Sequence, residues 1–310
     1  MVNKEFGRLI TAMVSPFDED GNLSVRQVRR LAEHLANNKT EGIVVSGTTG
    51  ESPTLSEKDR LTLIENCLNR VGDQVAVIAG TSTYSTEESV KLSREARNHG
   101  AHGLLLVTPY YNKPSQEGLY RHFATIAEAV DIPCILYNVP SRTNVNLAPE
   151  TVLRLAGNFE NIVGLKEAVG TSTEAGRKQV ALIMDGKSEK FKVWSGNDQD
   201  TLYFLDQGGH GVISVASHVV GNLISKMINH HVIGEREQAE QLHNHLMPLF
   251  EALFPPTSPE PSPAPIKAAL NLVGMPVGDL RLPLVSVPQS YQEKLQVLLA
   301  QYQVDPVKTA

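Results

Sequence analysis

The strongest constraint on the fold is a repeat of pattern. Short apolar runs recur, most of them about thirty residues apart, each followed by a loop and then a helical pattern. They are Arg8 to Val14, Gly42 to Ser46, Val75 to Ala79, Gly103 to Val107, Cys134 to Tyr137, Ile162 to Lys166, Phe191 to Ser195 and Gly211 to Val215, eight in all. Runs this short read as strands, and strict alternation with helices makes the sheet parallel and helix-covered. Eight units favour closure into a (β/α)8 TIM barrel over an open doubly wound sheet. No Gly-x-Gly-x-x-Gly follows the first run, which weakens a dinucleotide-binding fold further.

Helix starts are written into the loops. Ser24 stands before Val25-Arg26-Gln27 at capping-box spacing, and Ser56, Ser85, Ser115 and Pro149 open later helices with acidic residues close behind. Past about Asn222 only helical patterns remain, so the expected division is a barrel over 1–224 and a small C-terminal helical domain over 225–310. Within the latter, His231 to Phe254 reads as one long amphipathic helix, Pro255 to Pro265 as a stiff connector, and Ile266 to Val273 and Tyr291 to Tyr302 as two further helices. The end, from Val304, reads as frayed.

With 310 residues, 41% of them hydrophobic, the chain can bury one large core or two modest ones. It has no apolar run long enough to span a bilayer, and its start lacks a signal-peptide apolar region. Cys67 and Cys134 form neither a disulfide framework nor a metal-ligand cluster; buried thiols in a reducing compartment account for them, so a cytoplasmic protein is expected. A net charge of −6 without a basic run argues against nucleic acid and anionic membranes.

One residue does not belong in a buried strand. In Ile162-Val163-Gly164-Leu165-Lys166, period-two alternation puts Ile162, Gly164 and Lys166 on one face. A Lys there is costly unless it is paired, neutral or in use. An edge-strand Lys snorkelling to water is the bland alternative. The other is a desolvated amine of lowered pKa, able to attack a carbonyl and form an imine.

In such a barrel the chemistry sits where strands end, and those positions form a coherent set. Gly47-Thr48-Thr49-Gly50-Glu51 offers two hydroxyls and several N–H groups, either an anion cradle or only a turn. Tyr110 and Tyr111 follow the fourth run, where packing is the simpler role. Tyr137 has the parity to point inward at the mouth, and Arg142 on the loop above is a forked cation suited to a carboxylate. Ser195-Gly196-Asn197-Asp198 ends the seventh run. His218 reads as a helix-start or packing residue, since no second metal ligand has suitable spacing. Together a Lys, a Tyr, two Thr and an Arg on one rim suit an amine nucleophile, a phenolic proton shuttle and clamps for two acids.

From Gly7-Arg8-Leu9-Ile10-Thr11-Ala12-Met13 to Leu280-Arg281-Leu282-Pro283 the chain resembles the dihydrodipicolinate synthase family. Its most specific matches are Gly47-Thr48-Thr49-Gly50-Glu51, Tyr137-Asn138-Val139-Pro140-Ser141-Arg142-Thr143, Gly164-Leu165-Lys166-Glu167-Ala168 and Gly211-Val212-Ile213-Ser214-Val215. The resemblance implies a cofactor-independent, Schiff-base lyase of lysine and diaminopimelate biosynthesis that condenses pyruvate with L-aspartate 4-semialdehyde. It makes Lys166 the nucleophile and Tyr137 the proton donor, linked through Thr48 to Tyr111, which reaches into a neighbouring subunit. Thr49, Gly196 and the backbone near Ile213 would hold pyruvate, and Arg142 the carboxylate of the semialdehyde. A homotetramer, a dimer of dimers, is the implied assembly.

Two departures stand out. Asn144 replaces a frequent Gly, which could change the Arg142 loop. Of the positions that bind inhibitory lysine in sensitive members, Ser52, Glu88 and Tyr110 match, whereas Glu57, Arg60 and Tyr84 do not, so weak or absent inhibition is expected. The nearest rivals are other pyruvate aldolases, such as N-acetylneuraminate lyase or a keto-deoxy-sugar-acid aldolase, and a catalytically silent keto-acid-binding barrel.

Overall fold

The computed structural model describes residues 4–254 and 261–307. Eight strands form a closed, all-parallel barrel in chain order: β1 (Leu9–Ala12), β2 (Gly42–Val45), β3 (Ala76–Gly80), β4 (Gly103–Val107), β5 (Cys134–Asn138), β6 (Ile162–Glu167), β7 (Lys192–Ser195) and β8 (Gly211–Ser214). Between and after them lie α1 (Val25–Asn37), α2 (Glu57–Val71), α3 (Thr86–Asn98), α4 (Gln116–Glu128), α5 (Pro140–Thr143), α6 (Pro149–Asn158), α7 (Glu174–Gly186), α8 (Thr201–Asp206) and α9 (Ser217–Val232). The tail adds α10 (Arg236–Leu253), α11 (Ala264–Leu272) and α12 (Gln289–Leu299).

Alternation along each strand sorts side chains into two layers. Phe6, Ile10, Val44, Ile78, Leu105, Ile135, Tyr137, Trp194 and Ile213 fill the barrel, while Leu9, Ile43, Val77, Leu104, Leu136, Leu165 and Val212 pack outward under the helices. Each fully buried Leu or Ile contributes about 1.5–3 kcal/mol of transfer free energy. The expected parity of β6 fails at its first residue. Cys134 pairs with Ile162 but Ile135 with Gly164, so Val163 is an extra residue, a bulge. Ile162 therefore joins the outer layer and Val163 packs against the inner one, while Gly164 and Lys166 keep their inward register.

The capping box lies one helix later than expected. Ser24 caps α1 without a side-chain bond, whereas Ser56 accepts from the Asp59 N–H and Asp59 accepts in return from the Ser56 N–H. The segment read as one helix from His231 is two: His231 lies in the last turn of α9, which ends at Val232, and α10 begins at Arg236 after a left-handed Gly234. Residue 224 lies inside α9, so the passage from barrel to tail has no break there. Leu246, Leu249, Phe250, Ile266, Leu270 and Leu295 of the tail belong to the same apolar cluster as the barrel's outer layer.

Nor is the chain frayed at Val304. Asp305 is buried, and its carboxylate accepts from the N–H groups of Gly221 and Asn222, next to the non-helical Val220 of α9. It supplies the acceptors that the kinked backbone lacks. Residues 255–260, most of the expected connector, lie outside the described residues.

Candidate active site

Two motifs meet across one strand pair. In the β5–β6 register Tyr137 stands opposite Lys166 and Asn138 opposite Glu167. The first pair points into the barrel and the second toward the helices. The Lys166 Nζ lies 4.4 Å from the centroid of the Tyr137 ring, and Lys166 is 4% exposed. Burial lowers the amine's pKa from 10.5 to about 7; Asp198 opposes the shift and Arg142 adds to it. Burial likewise raises the Tyr137 phenol, against Arg142 and a hydrogen bond with Thr48, so it stays protonated at neutral pH. An amine that is neutral near pH 7 beside a phenol that keeps its proton is a nucleophile with an acid at hand.

Gly164 makes room for a neighbouring side chain. A Cβ there would stand 2.6 Å from Trp194 Cζ3 and 2.4 Å from the Lys192 carbonyl oxygen. The glycine admits the Trp194 indole, which is fully buried inside the barrel and donates to the Gly7 carbonyl oxygen (2.9 Å). Gly196 permits a second close approach. Its N–H donates to the Glu167 carbonyl oxygen (2.6 Å), and a Cβ would lie 2.5 Å from that of Ala168.

Thr48 and Thr49 lie on the β2 loop, which turns through left-handed Ser46 (φ 50°) and Glu51 (φ 58°). Thr49 is buried, and Thr48 reaches Tyr137. Ile213 lines the interior on β8. Arg142, exposed at the rim on α5, donates to the Ser262 carbonyl oxygen (3.2 Å) and lies over the Phe254 ring. Asn144 takes the left-handed conformation (φ 56°, ψ 24°) at the end of α5, as a glycine would, so the loop geometry survives the replacement. Tyr111 is the one predicted catalytic residue that this single chain does not bring in. It is 91% exposed, on a left-handed backbone (φ 74°).

Ser52, Glu88 and Tyr110 gather around Arg60. Its guanidinium donates to the carbonyl oxygens of Ser52 (2.6 Å) and Gly80 (3.1 Å), and lies within electrostatic reach of Glu88 and the Tyr110 phenol. His218 is a packing residue: Nε2 accepts from the Val14 N–H and Nδ1 donates to the Val215 carbonyl oxygen, while burial pushes its pKa down to about 4.

A sequence profile of the dihydrodipicolinate synthetase family matches residues 5–302. The chain belongs to that family. It is 52% identical to the 4-hydroxy-tetrahydrodipicolinate synthase of Symbiobacterium thermophilum, over 96% of this chain and 98% of the relative. Among solved structures it resembles the dihydrodipicolinate synthase of Cyanidioschyzon merolae with lysine bound, at 43% identity and a TM-score of 0.90, covering 96% of this chain and 98% of that one. The dihydrodipicolinate synthase of Acinetobacter baumannii complexed with pyruvate is 36% identical, with a TM-score of 0.89 and 96% and 99% coverage.

Two buried acids of this synthetase-family site escaped the sequence reading. Asp198 accepts from Ser214 Oγ (2.5 Å) and from the Val215 and Ala216 N–H groups (3.0 and 2.9 Å), tying the end of β7 to that of β8 near Lys166. Glu167, fully buried, accepts from Asn138, Gln179 and the Val169 N–H, yet burial still pushes it up to about 7. Its bond with Asn138 locks the register that sets Tyr137 against Lys166. An acid inside an apolar run was the available signal, overshadowed by the lysine beside it.

Proposed function

We infer that the protein is a 4-hydroxy-tetrahydrodipicolinate synthase, joining pyruvate to L-aspartate 4-semialdehyde through an imine on Lys166. The observation that carries the mechanism is the near-neutral amine packed on the Tyr137 ring inside the barrel. Full-length similarity to relatives of that name supports the substrate pair.

The chemistry follows from the side chains. Neutral Lys166 adds to the keto carbon of pyruvate, Tyr137 protonates the departing oxygen, and water leaves as the iminium forms. The iminium draws electrons from the adjacent methyl group, which loses a proton to give an enamine. That carbon attacks the aldehyde, whose oxygen takes up a proton and stays as the hydroxyl. The amino group of the second substrate then closes on the imine carbon and expels Lys166. Thr49, Gly196 and the Ile213 backbone hold the pyruvate carboxylate, and Arg142 holds that of the semialdehyde.

Tyr111 fits this scheme when a second copy receives it, completing a relay through Thr48 to Tyr137. A bare tyrosine on a left-handed backbone, with Tyr84 also exposed nearby, supports a dimer at least, within a dimer of dimers. Among the described residues no helix is long and apolar enough to cross a membrane. Both cysteines are free and buried, which supports a cytoplasmic setting.

Borohydride added with pyruvate is expected to fix a mass adduct on the peptide containing Lys166. An adduct elsewhere, or none, overturns the mechanism; faster turnover with sugar aldehydes than with the semialdehyde overturns the substrate. We further propose that lysine inhibits weakly or not at all. Arg60 sits where Ser52, Glu88 and Tyr110 converge, so the ammonium group of an entering lysine meets a fixed cation. Steady-state rates in millimolar lysine are expected to stay close to those without it; strong inhibition rejects the idea.

A further inference from the structure

Lys267 lies on α11, outside the barrel and far along the chain from the residues that handle substrate. It is nevertheless among the most deeply buried side chains of the protein, and so is its partner: the Lys267 Nζ donates to Glu51 Oε1 at 2.9 Å, with both side chains 1% exposed. Each member of the pair is fully engaged. The ammonium also donates to the Asp279 carbonyl oxygen (2.6 Å) and lies 4.3 Å from the centroid of the Phe17 ring. Glu51 Oε2 accepts the Arg281 N–H at 2.9 Å.

Glu51 closes the loop that carries Thr48 and Thr49. Its own N–H donates to the Thr48 carbonyl oxygen (3.1 Å), and the next N–H, of Ser52, to that of Gly47 (3.2 Å). It holds a left-handed backbone, which a non-glycine residue keeps only when its surroundings impose it. The surroundings here are two contacts from the post-barrel segment, Lys267 and the Arg281 backbone. Stability gives little reason for such a pair, because a buried ion pair adds little that apolar packing would not. A geometric task gives a better one.

We propose that Lys267 is a positioning residue for the keto acid: through Glu51 it holds the 46–52 loop so that the hydroxyls and N–H groups of Thr48 and Thr49 face Lys166. This rests on the functional reading above, and it makes the tail a working part of the pyruvate site. Lys267→Met leaves Glu51 as a buried charge without its cation, so the loop must move to find water.

The test compares the parent protein with Lys267→Met and with the double variant Glu51→Gln/Lys267→Met, which removes both charges while the introduced amide oxygen can still accept the Arg281 N–H. For Lys267→Met the pyruvate KM is expected to rise about tenfold or more, with a smaller loss of kcat at saturating pyruvate through Thr48, which engages Tyr137. Hydrogen exchange is expected to quicken in the peptide covering 46–52. The double variant is expected to recover most of the KM. An unchanged KM, equal losses in single and double variants, or a Lys267→Met protein that does not fold overturns the positioning role. A parent protein that forms no borohydride adduct with pyruvate sinks the functional reading instead, and is read first.

Discussion

Replacing Lys166 by methionine is expected to abolish turnover and to make the protein more stable. The loss follows from chemistry: without the amine no imine forms, and kcat should fall by about four orders of magnitude or more. The gain follows from linkage. In the unfolded chain the amine keeps its proton up to its ordinary value of 10.5, but in the fold it gives it up from about 7. Folding between those values must therefore expel a proton, so the parent's stability falls as pH drops from 10.5 to 7 and levels off below. At pH 7 the penalty is on the order of 4 kcal/mol. Methionine, of similar length and uncharged, removes it but leaves Asp198 without a neighbouring cation, held by Ser214 and two N–H groups. A net gain of about 2 kcal/mol remains, several degrees in Tm for a chain of this size. Calorimetry at pH 7 and pH 10 checks the sign: the variant's advantage should shrink at the higher pH. An advantage that grows with pH, or a variant that still turns over, contradicts the assignment.

Replacing Tyr137 by phenylalanine is the second large effect. The ring remains and so does its packing on the amine, so the fold should be undisturbed; only the hydroxyl that Thr48 engages is lost. General acid catalysis of this kind is worth about 10²- to 10⁴-fold, so kcat should drop by that much with little change in the pyruvate KM. The adduct at Lys166 should still form under borohydride, more slowly. In parent and variant alike, the rate of adduct formation should rise with pH through about 7 as the amine loses its proton. A Tyr137→Phe enzyme with full activity would remove the phenol from the mechanism.

These residues were legible in the sequence because strand parity and position along the barrel determine them. Lys166, Tyr137 and Ile213 all fall inside the barrel where alternation from the strand ends places them. Parity counted from the start of β6 is another matter, because a bulge shifts Ile162 and Val163, and bulges answer to the neighbouring strand more than to their own residues. Asp198, Glu167 and the Glu51–Lys267 pair were missed for a related reason. What makes each of them matter is a partner distant in the chain or hidden behind the sheet, and no local periodicity records it. The same holds for the tail: Asp305 reads as a loose end until the kink in α9 that it satisfies is seen.

The indole of Trp194 has one more implication. With that ring packed below the amine and bonded to the backbone ahead of β1, the lower end of the cylinder is filled, which leaves the upper rim, among the described residues, as the expected way in. Molecules that share a single doorway must queue. On the proposed mechanism the keto acid is expected to go in first and deepest, the aldehyde to land on top of it, and the finished ring to back out before the next keto acid reaches the nitrogen.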